Sequence, residues 1–477
     1  MLRNRSILKA MRTATTYEQW LEAATDHDRA TGADRWRAEP SSPHYHADLI
    51  KQQLDTLRRL RGSGDVERLL DHLHESLHRN LGDLEAAELY EVSPLGTKHL
   101  IEEYLRETEE TIEQLVLHPL PGFDATKKLG ILTRALGNFG RSALLLSGGA
   151  TLGFYHLGVV KALWRADLLP DVISGASMGA MIAAGVGART DEELDTLFAD
   201  EVPDIRRIGL GFADLATIWN NKALLDPSIL LHTIETNCGE ATFEEAHARS
   251  GRTLNISVAP TRTRQKPRVL SHLTAPDVLL KSAALASSAV PGMFPPVTLR
   301  RRRRDGREED YIGTERWIDG SFGNDLPMMR IGRLHNVNHF IVSQVNPHVL
   351  PFSERNRWSA SGLALRLATK PVRRRVGPVL STAQSLTRNT PLPKTLGLLL
   401  SLAEQDYGGD IDIHPRFDLG MYLKVMKNPS ADELGRFVLE GQRGTWPKLA
   451  MIRDQTLIAR CLARCEAQLL AEAAAGN

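Results

Sequence analysis

Two apolar segments, each followed by a glycine-rich turn, constrain the fold of this chain most strongly. The first runs from Ala143 to Leu146 and precedes Gly148 and Gly149, and the second begins at Val172 and precedes Gly175-Ala176-Ser177-Met178-Gly179. The two turns stand about thirty residues apart, which is the span of one strand–helix–strand crossover. The sequence therefore predicts an α/β core in which two strands, buried on both faces, flank a helix.

The pentapeptide around Ser177 fits a nucleophile elbow. A serine on a tight strand-to-helix turn needs small neighbours, and Gly175 and Gly179 supply them. The apolar segment before the turn and the Ala- and Met-rich segment after it support this interpretation. The alternative is an ordinary glycine-rich turn, because a Gly-x-Ser-x-Gly pattern taken alone is a weak signal.

The loop that follows the first strand predicts a site for negative charge. Main-chain N–H groups of Gly148, Gly149 and Ala150 could bind the oxyanion of an acyl-transfer reaction. A phosphate-binding loop is the alternative. The segment lacks the Gly-Lys-Ser/Thr ending of such loops, and Ala150 interrupts the dinucleotide-binding pattern Gly-x-Gly-x-x-Gly.

A carboxylate at the end of a third predicted strand completes the set. Residues Ile312 to Ile318 favour a strand, so Asp319 would lie at its end beside Gly320. A partly desolvated carboxylate gains basicity and can accept a proton from a serine. The alternative is a simple Asp-Gly turn.

The three motifs, in this order and spacing, resemble the patatin-like phospholipases and lipases, which use a Ser–Asp dyad without histidine. The resemblance implies that Ser177 is the nucleophile, Asp319 the base and Gly148 to Ala150 the oxyanion loop. Gly153, Gly175, Gly179 and Gly320 are the glycines that belong to the same motifs. Two residues depart from the family pattern: Ala150 replaces a glycine, and Ser321 replaces a Gly or Ala. Both remain small.

The resemblance continues outside the motifs. Segments such as Tyr17-Glu18-Gln19-Trp20 and Arg79-Asn80-Leu81-Gly82 resemble the helical domain that precedes the patatin core in yeast-type and plant seed-oil triacylglycerol lipases. We therefore expect a helical domain at 1–140, a three-layer patatin-like domain with a mostly parallel sheet at 141–345, and a mainly helical region at 346–477. Helical spacing of apolar residues before residue 140 supports the first of these.

The function that the resemblance implies is hydrolysis of carboxylic esters in triacylglycerol or phospholipid, through an acyl-enzyme on Ser177. Two alternatives remain open. A transacylase would pass the acyl group to a lysolipid or acylglycerol with the same dyad, and a catalytically silent protein would only dock on membranes. This chemistry requires no metal and no organic cofactor.

Composition limits the partners and the compartment. The formal net charge of the 477 residues is +1, so no global field attracts nucleic acid. Three cysteines, Cys238, Cys461 and Cys465, favour a reducing compartment. The sequence has no secretory signal and no run of about twenty apolar residues. We expect a cytoplasmic protein that reaches a membrane or lipid-droplet surface peripherally, with its oligomeric state open.

Three further features allow two interpretations each. Arg300 to Arg304, like Arg373 to Arg375, is either a solvated loop or a contact for anionic headgroups. Apolar residues between about 346 and 425 predict either packed helices or a lid. His335 and His339 follow Asp319, so a Ser–Asp–His triad is formally present, although both histidines lie in or just before a predicted strand.

Overall fold

The computed structural model describes residues 2–118, 123–199, 227–262, 265–291, 294–321, 325–346, 408–415 and 430–475. The predicted lid between 346 and 425 falls almost entirely outside these residues, as does the second arginine cluster at 373–375. Among the described residues, no helix has the length and apolar character that crossing a membrane requires.

Helices form the first part of the chain, and apolar side chains at helical spacing hold them together. They are α1 (Leu2–Thr13), α2 (Tyr17–Thr31), α3 (Ala33–Ala38), α4 (Ala47–Ser63), α5 (Val66–Ser76), α6 (His99–Leu117) and α7 (Ala125–Phe139). Ile50 and Leu57 of α4 are fully buried, and they share a core with Ile101 of α6 and Leu136 of α7. This arrangement agrees with the helical pattern expected from the sequence.

A mostly parallel sheet follows, as predicted. Its strands are β1 (Arg141–Leu146), β2 (Val172–Gly175), β3 (Thr253–Pro260), β4 (Arg268–Leu270), β7 (Trp317–Asp319), β8 (Val337–Ser343) and β9 (Ile411–Ile413). The spatial order is β4-β3-β2-β1-β8-β9, with β7 also paired to β3. Strands β3, β2, β1, β8 and β9 run parallel, whereas β4 and β7 are antiparallel to β3. The apolar run Ala143–Leu146 is wholly buried because β1 is central.

Helices cover both faces of the sheet. They are α8 (Phe154–Arg165), α9 (Met178–Gly187), α10 (Asp191–Phe198), α11 (Pro227–Cys238), α12 (Phe243–Ser250), α13 (Leu280–Ser287), α14 (Met328–His335), α15 (Ala431–Thr445) and α16 (Leu449–Ala475). Helices α8, α9, α13 and α15 contribute to the large core on one face. On the other face Ile331 of α14 packs against Ala143, Leu145 and Val342.

The C-terminal region is less separate than expected. Although 346–477 was predicted to be mainly helical, β9 lies in the sheet beside β8. Helix α16 joins the N-terminal helices, where Cys461, Leu462 and Cys465 are buried in their core. The end of the chain therefore ties the helical part to the α/β part.

Two local predictions need correction. The strand expected over Ile312 to Ile318 is limited to Trp317–Asp319, which still leaves Asp319 at its end. The arginine run is not a loop but a hairpin, in which β5 (Arg300–Arg302) pairs antiparallel with β6 (Glu308–Asp310). Opposite charges face each other across it, with Arg300 Nη1 lying 2.6 Å from Asp310 Oδ1.

Candidate active site

Ser177 lies on a sharp turn between β2 and α9. Its backbone has φ 53° and ψ −125°, a conformation that L-residues rarely adopt and that is typical of a nucleophile elbow. The turn tolerates no side chain at its flanking glycines. A Cβ at Gly175 would lie 2.2 Å from the carbonyl oxygen of Gly179, and one at Gly179 would lie 2.2 Å from that of Leu146. The glycines therefore permit the close approach that the strained serine requires.

A second serine, which the sequence analysis did not single out, anchors this turn. The Ser177 N–H donates to Ser287 Oγ at 3.0 Å, and the Ser287 hydroxyl donates to the Ser257 carbonyl oxygen at 2.7 Å. Ser287 is at the end of α13, and Ser257 is in β3. The backbone of the turn is thus fixed to the neighbouring strand.

Asp319 meets Ser177 from the end of β7. Strand pairing places Asp319 opposite Val258 of β3, and its side chain is buried. The Asp319 carboxyl group accepts a hydrogen bond from the Ser321 N–H at 2.8 Å, and the Ser177 side chain is near enough for hydrogen bonding to lower its pKa. Burial raises the pKa of Asp319 to about 6, although these hydrogen bonds act in the opposite direction. The carboxyl group is therefore largely ionised at neutral pH, yet more basic than an exposed aspartate.

The glycine loop leaves β1 beside the same turn. It continues into a short 3-10 turn, Ala150–Gly153, that leads into α8. The Gly148 N–H donates to Asp325 Oδ1 at 2.9 Å. For the amides of Gly149 and Ala150, no hydrogen-bond acceptor is present in the described parts of the chain. One of the three predicted oxyanion donors is therefore engaged by a side chain in this structure.

The remaining motif glycines lie against the same centre. Gly153 packs on Met178, the residue that follows Ser177, and Gly320 packs on Ser257. At Gly148 an added Cβ would lie 2.6 Å from Ser321 Oγ and 3.4 Å from the Ser177 Cβ. The loop, the elbow and the segment after Asp319 are thus in direct contact.

Asp325 is a second buried carboxyl group that sequence reasoning missed. Besides the Gly148 N–H, it accepts a hydrogen bond from the Asn346 side-chain amide. Burial raises its pKa to about 7, and the charge of Asp319 adds to the shift against the opposing hydrogen bond from Gly148. In the sequence Asp325 is only an acid that precedes Leu326 and Pro327. Such an acid occurs at surface turns as well as in functional sites.

The histidines are occupied elsewhere. His335 Nε2 is 2.8 Å from Asn255 Oδ1, and His339 lies between Ser142 Oγ and Gln455 Oε1, each at 3.0 Å. Burial lowers the pKa of both histidines to about 4. Neither is among the hydrogen-bond partners of Asp319, so the described residues offer no Ser–Asp–His arrangement here.

His156 stabilises the backbone immediately before the glycine loop. Its Nε2 lies 2.9 Å from the Ser147 carbonyl oxygen and its Nδ1 lies 2.7 Å from Ser343 Oγ. Because a carbonyl only accepts, Nε2 carries the proton and Nδ1 accepts from the Ser343 hydroxyl. Burial lowers the pKa of His156 to about 4, so the ring is neutral. It links the ends of β1 and β8 immediately before Gly148.

Within the described ranges, one group has the composition of a metal site, and it lies in the helical part. Ligand atoms of Glu109, Glu113 and Cys461 fall within 4.8 Å of one another. However, Arg464 Nη2 already contacts both carboxylates, at 2.9 and 2.8 Å. The arginine supplies the positive charge that a cation would bring.

Comparison with known proteins matches both parts of the chain. Residues 144–330 match the family described as patatin-like phospholipase, and residues 2–135 match a domain of unknown function, DUF3336. The α/β part of the chain therefore belongs to the patatin-like phospholipase family. The relatives described next match this chain over its helical part as well as its α/β part.

Two relatives illustrate the similarity. The chain is 33% identical to triacylglycerol lipase 4 of Saccharomyces cerevisiae over 466 residues, which cover 92% of this chain and 50% of that protein. It is also 33% identical to triacylglycerol lipase SDP1L of Arabidopsis thaliana over 477 residues, which cover 95% of this chain and 57% of that protein. The chain spans about half the length of the curated relatives it matches.

Proposed function

We propose that this chain is a serine lipid acyl hydrolase that cleaves carboxylic esters of triacylglycerol or phospholipid. The observation that carries the proposal is the placement of Ser177 on a strained elbow beside the buried Asp319, whose pKa is lowered by hydrogen bonding with the Ser177 side chain. A serine and a carboxylate this near to each other, beside a loop of main-chain donors, supply the groups that acyl transfer requires.

In the first half-reaction Ser177 Oγ attacks the ester carbonyl carbon while its proton passes to Asp319. The raised pKa of Asp319 helps, because a carboxylate of ordinary acidity is a poor proton acceptor at neutral pH. When the tetrahedral intermediate collapses, the C–O bond of the ester breaks and Asp319 returns the proton to the departing alkoxide. The acyl group remains on Ser177.

The oxyanion needs donors that are aligned before the reaction begins. We assign this task to the amides of Gly149 and Ala150, and we assign Gly148 to the support of the loop, because its N–H already donates to Asp325. Asp325 then acts as a positioning residue. It fixes the start of the loop through Gly148 and is itself held by Asn346.

In the second half-reaction water replaces the alcohol. Asp319 takes a proton from the water as its oxygen attacks the acyl carbon, and gives it to Ser177 Oγ as the fatty acid leaves. No step requires a metal or an organic cofactor. We propose that the enzyme meets its substrate peripherally, at a membrane or lipid-droplet surface on the cytoplasmic side.

The substrate class is tested with the purified chain on emulsified triacylglycerol and on phospholipid vesicles. We expect fatty acid to be released from at least one of them, and no release by S177A. Release of acyl chains into a second lipid instead of water would make the protein a transacylase. No turnover of any ester by the folded wild-type chain would contradict the proposal.

A further inference from the structure

Two groups of cations lie on the α/β part of this chain, and their surroundings differ. Arg300 to Arg303 of the β5–β6 hairpin are ion-paired: Arg301 Nη2 and Arg303 Nε both contact Glu309, and Arg302 Nη1 contacts Glu245. The second group lines an open cavity of about 630 Å³, which we call the basic cavity. Its lining includes Ser257, Lys266, Arg268 and Arg330.

The three cations of the basic cavity are not neutralised. In the described parts of the chain, no carboxylate forms an ion pair with Lys266, Arg268 or Arg330. Lys266 and Arg268 lie close together in the sequence at the start of β4, and the fold brings Arg330 of α14 to them. Unpaired cations around one concave space create a positive potential that favours an anion.

Packing orients one of these cations. The Arg268 guanidinium lies over the ring of Trp317, 5.1 Å from its centroid. Stacking on an aromatic face fixes the plane of a guanidinium while its edge N–H groups stay available for an oxygen-rich anion. Arg268 is therefore better ordered than a free surface arginine.

A buried hydroxyl provides an independent sign of a missing ligand. Ser257 is 1% exposed, and its Oγ has no hydrogen-bond partner among the residues that the structure describes. Side chains alternate along a strand, so Ser257 shares a face with Asn255, which bonds His335 of α14. That face is the one that carries Arg330. An unsatisfied buried hydroxyl is costly unless something bonds it.

An acid that is hydrogen-bonded to the cavity wall does not pair with these cations. Glu315 accepts a hydrogen bond from the lining residue Gln265 at 3.1 Å, and it lies 3.8 Å from Arg262 Nε. Glu315 is thus already engaged by Gln265 and Arg262. The lining of the cavity therefore includes three cationic side chains and the Ser257 hydroxyl, which has no partner among the described residues.

We propose that the basic cavity binds the phosphate group of a ligand, with Lys266, Arg268 and Arg330 supplying the charge and Ser257 a hydrogen bond. A tetrahedral anion offers enough oxygens for all four groups, and charge-assisted hydrogen bonds are the strongest available. The ligand is either a phospholipid headgroup or a soluble phosphate monoester. The site adjoins the catalytic centre, because Ser257 contacts Gly320 and anchors Ser287.

Binding is measured with the full chain carrying S177A, so that no ester is turned over and the result is independent of catalysis. Calorimetry with inorganic phosphate and with glycerol 3-phosphate tests the soluble source. Cosedimentation with phosphatidylcholine vesicles, with and without phosphatidic acid, tests the headgroup. We expect K266Q/R268Q/R330Q to weaken binding in at least one arm by about tenfold or more.

The matched control is R12Q/K51Q/R59Q, which removes the same charge from three exposed cations of the helical part for which the described residues likewise offer no ion pair. The control should bind like the parent. R330Q alone, on an exposed helical position, should show a smaller loss in the same arm if the triple variant proves unstable. Equal binding by parent, R330Q and triple variant in both arms would overturn the proposal, as would an equal loss in the control.

Discussion

The two sides of the active site each contain a buried carboxyl group, and the two groups have different partners. Asp319 lies beside the Ser177 side chain, whose hydroxyl proton the proposed reaction removes, whereas Asp325 is hydrogen-bonded by a main-chain amide and a carboxamide that keep their protons. The same residue type in similar burial therefore suits two tasks. On one side it accepts a proton, and on the other it holds a loop in place.

We expect the largest loss of activity when Asp319 is replaced. In D319N the amide cannot accept the Ser177 proton, so we expect kcat/KM for a soluble ester to fall by about 10³ to 10⁴. Thermal unfolding should show an intact fold, because asparagine has nearly the same shape. Activity within tenfold of the wild type would mean that Asp319 is not the base.

Asp325 should give a smaller loss of a different kind. Removing the partner of Gly148 in D325A frees the loop, and a misplaced oxyanion donor costs about 10² to 10³ in kcat. D325N retains an acceptor for the Gly148 N–H and should lose about tenfold or less by the same reasoning. We compare kcat and KM of D325A and D325N, and we expect KM to stay nearly constant in both variants. If D325A keeps the wild-type kcat, the positioning role is wrong.

The pH profile sharpens the difference between the carboxyl groups. Asp319 must be ionised to act, and burial raises its pKa to about 6, so kcat/KM should rise with pH through that region. Burial raises the pKa of Asp325 to about 7, so Asp325 titrates above Asp319. In D325A and D325N we therefore expect the acidic limb of the kcat/KM profile to keep its position, and any change to appear at higher pH. An acidic limb near pH 4 would contradict a buried, raised Asp319.

The smallest effects should come from the histidines. His335 and His339 hydrogen-bond residues outside the dyad, so H335Q and H339Q should each lower kcat/KM by less than about tenfold, and the acidic limb should stay in place. A loss of a thousandfold in either variant, with the fold retained, would restore the triad that the order of residues formally permits.

Short-range patterns explain which parts of the structure could be predicted. The β1 and β2 strands, the turn at Ser177 and the position of Asp319 at a strand end follow from local apolar runs and glycines. The hairpin at Arg300 was missed because its pairing depends on acids several residues away. Strand β9 was missed because three residues, Ile411 to Ile413, carry too little pattern.

The predicted site was incomplete for a related reason. Ser287 and Asp325 act through contacts with Ser177 and Gly148, which are far away in the sequence. An acid in a turn and a serine at the end of a helix have many ordinary uses, so nothing local marks them. The basic cavity shows the same limit, since Arg330 reaches Lys266 and Arg268 from a distant segment, whereas Arg300 to Arg303 of the conspicuous arginine run are already ion-paired.

The most direct test of the central claim is covalent labelling by a fluorophosphonate, followed by mass spectrometry of the digested chain. A serine activated by an adjacent carboxylate should give one phosphonylated peptide containing Ser177, with no label in S177A and much slower labelling in D319N. If a chain that hydrolyses esters carries its label on another residue, or if S177A reacts as fast as the wild type, Ser177 is not the nucleophile.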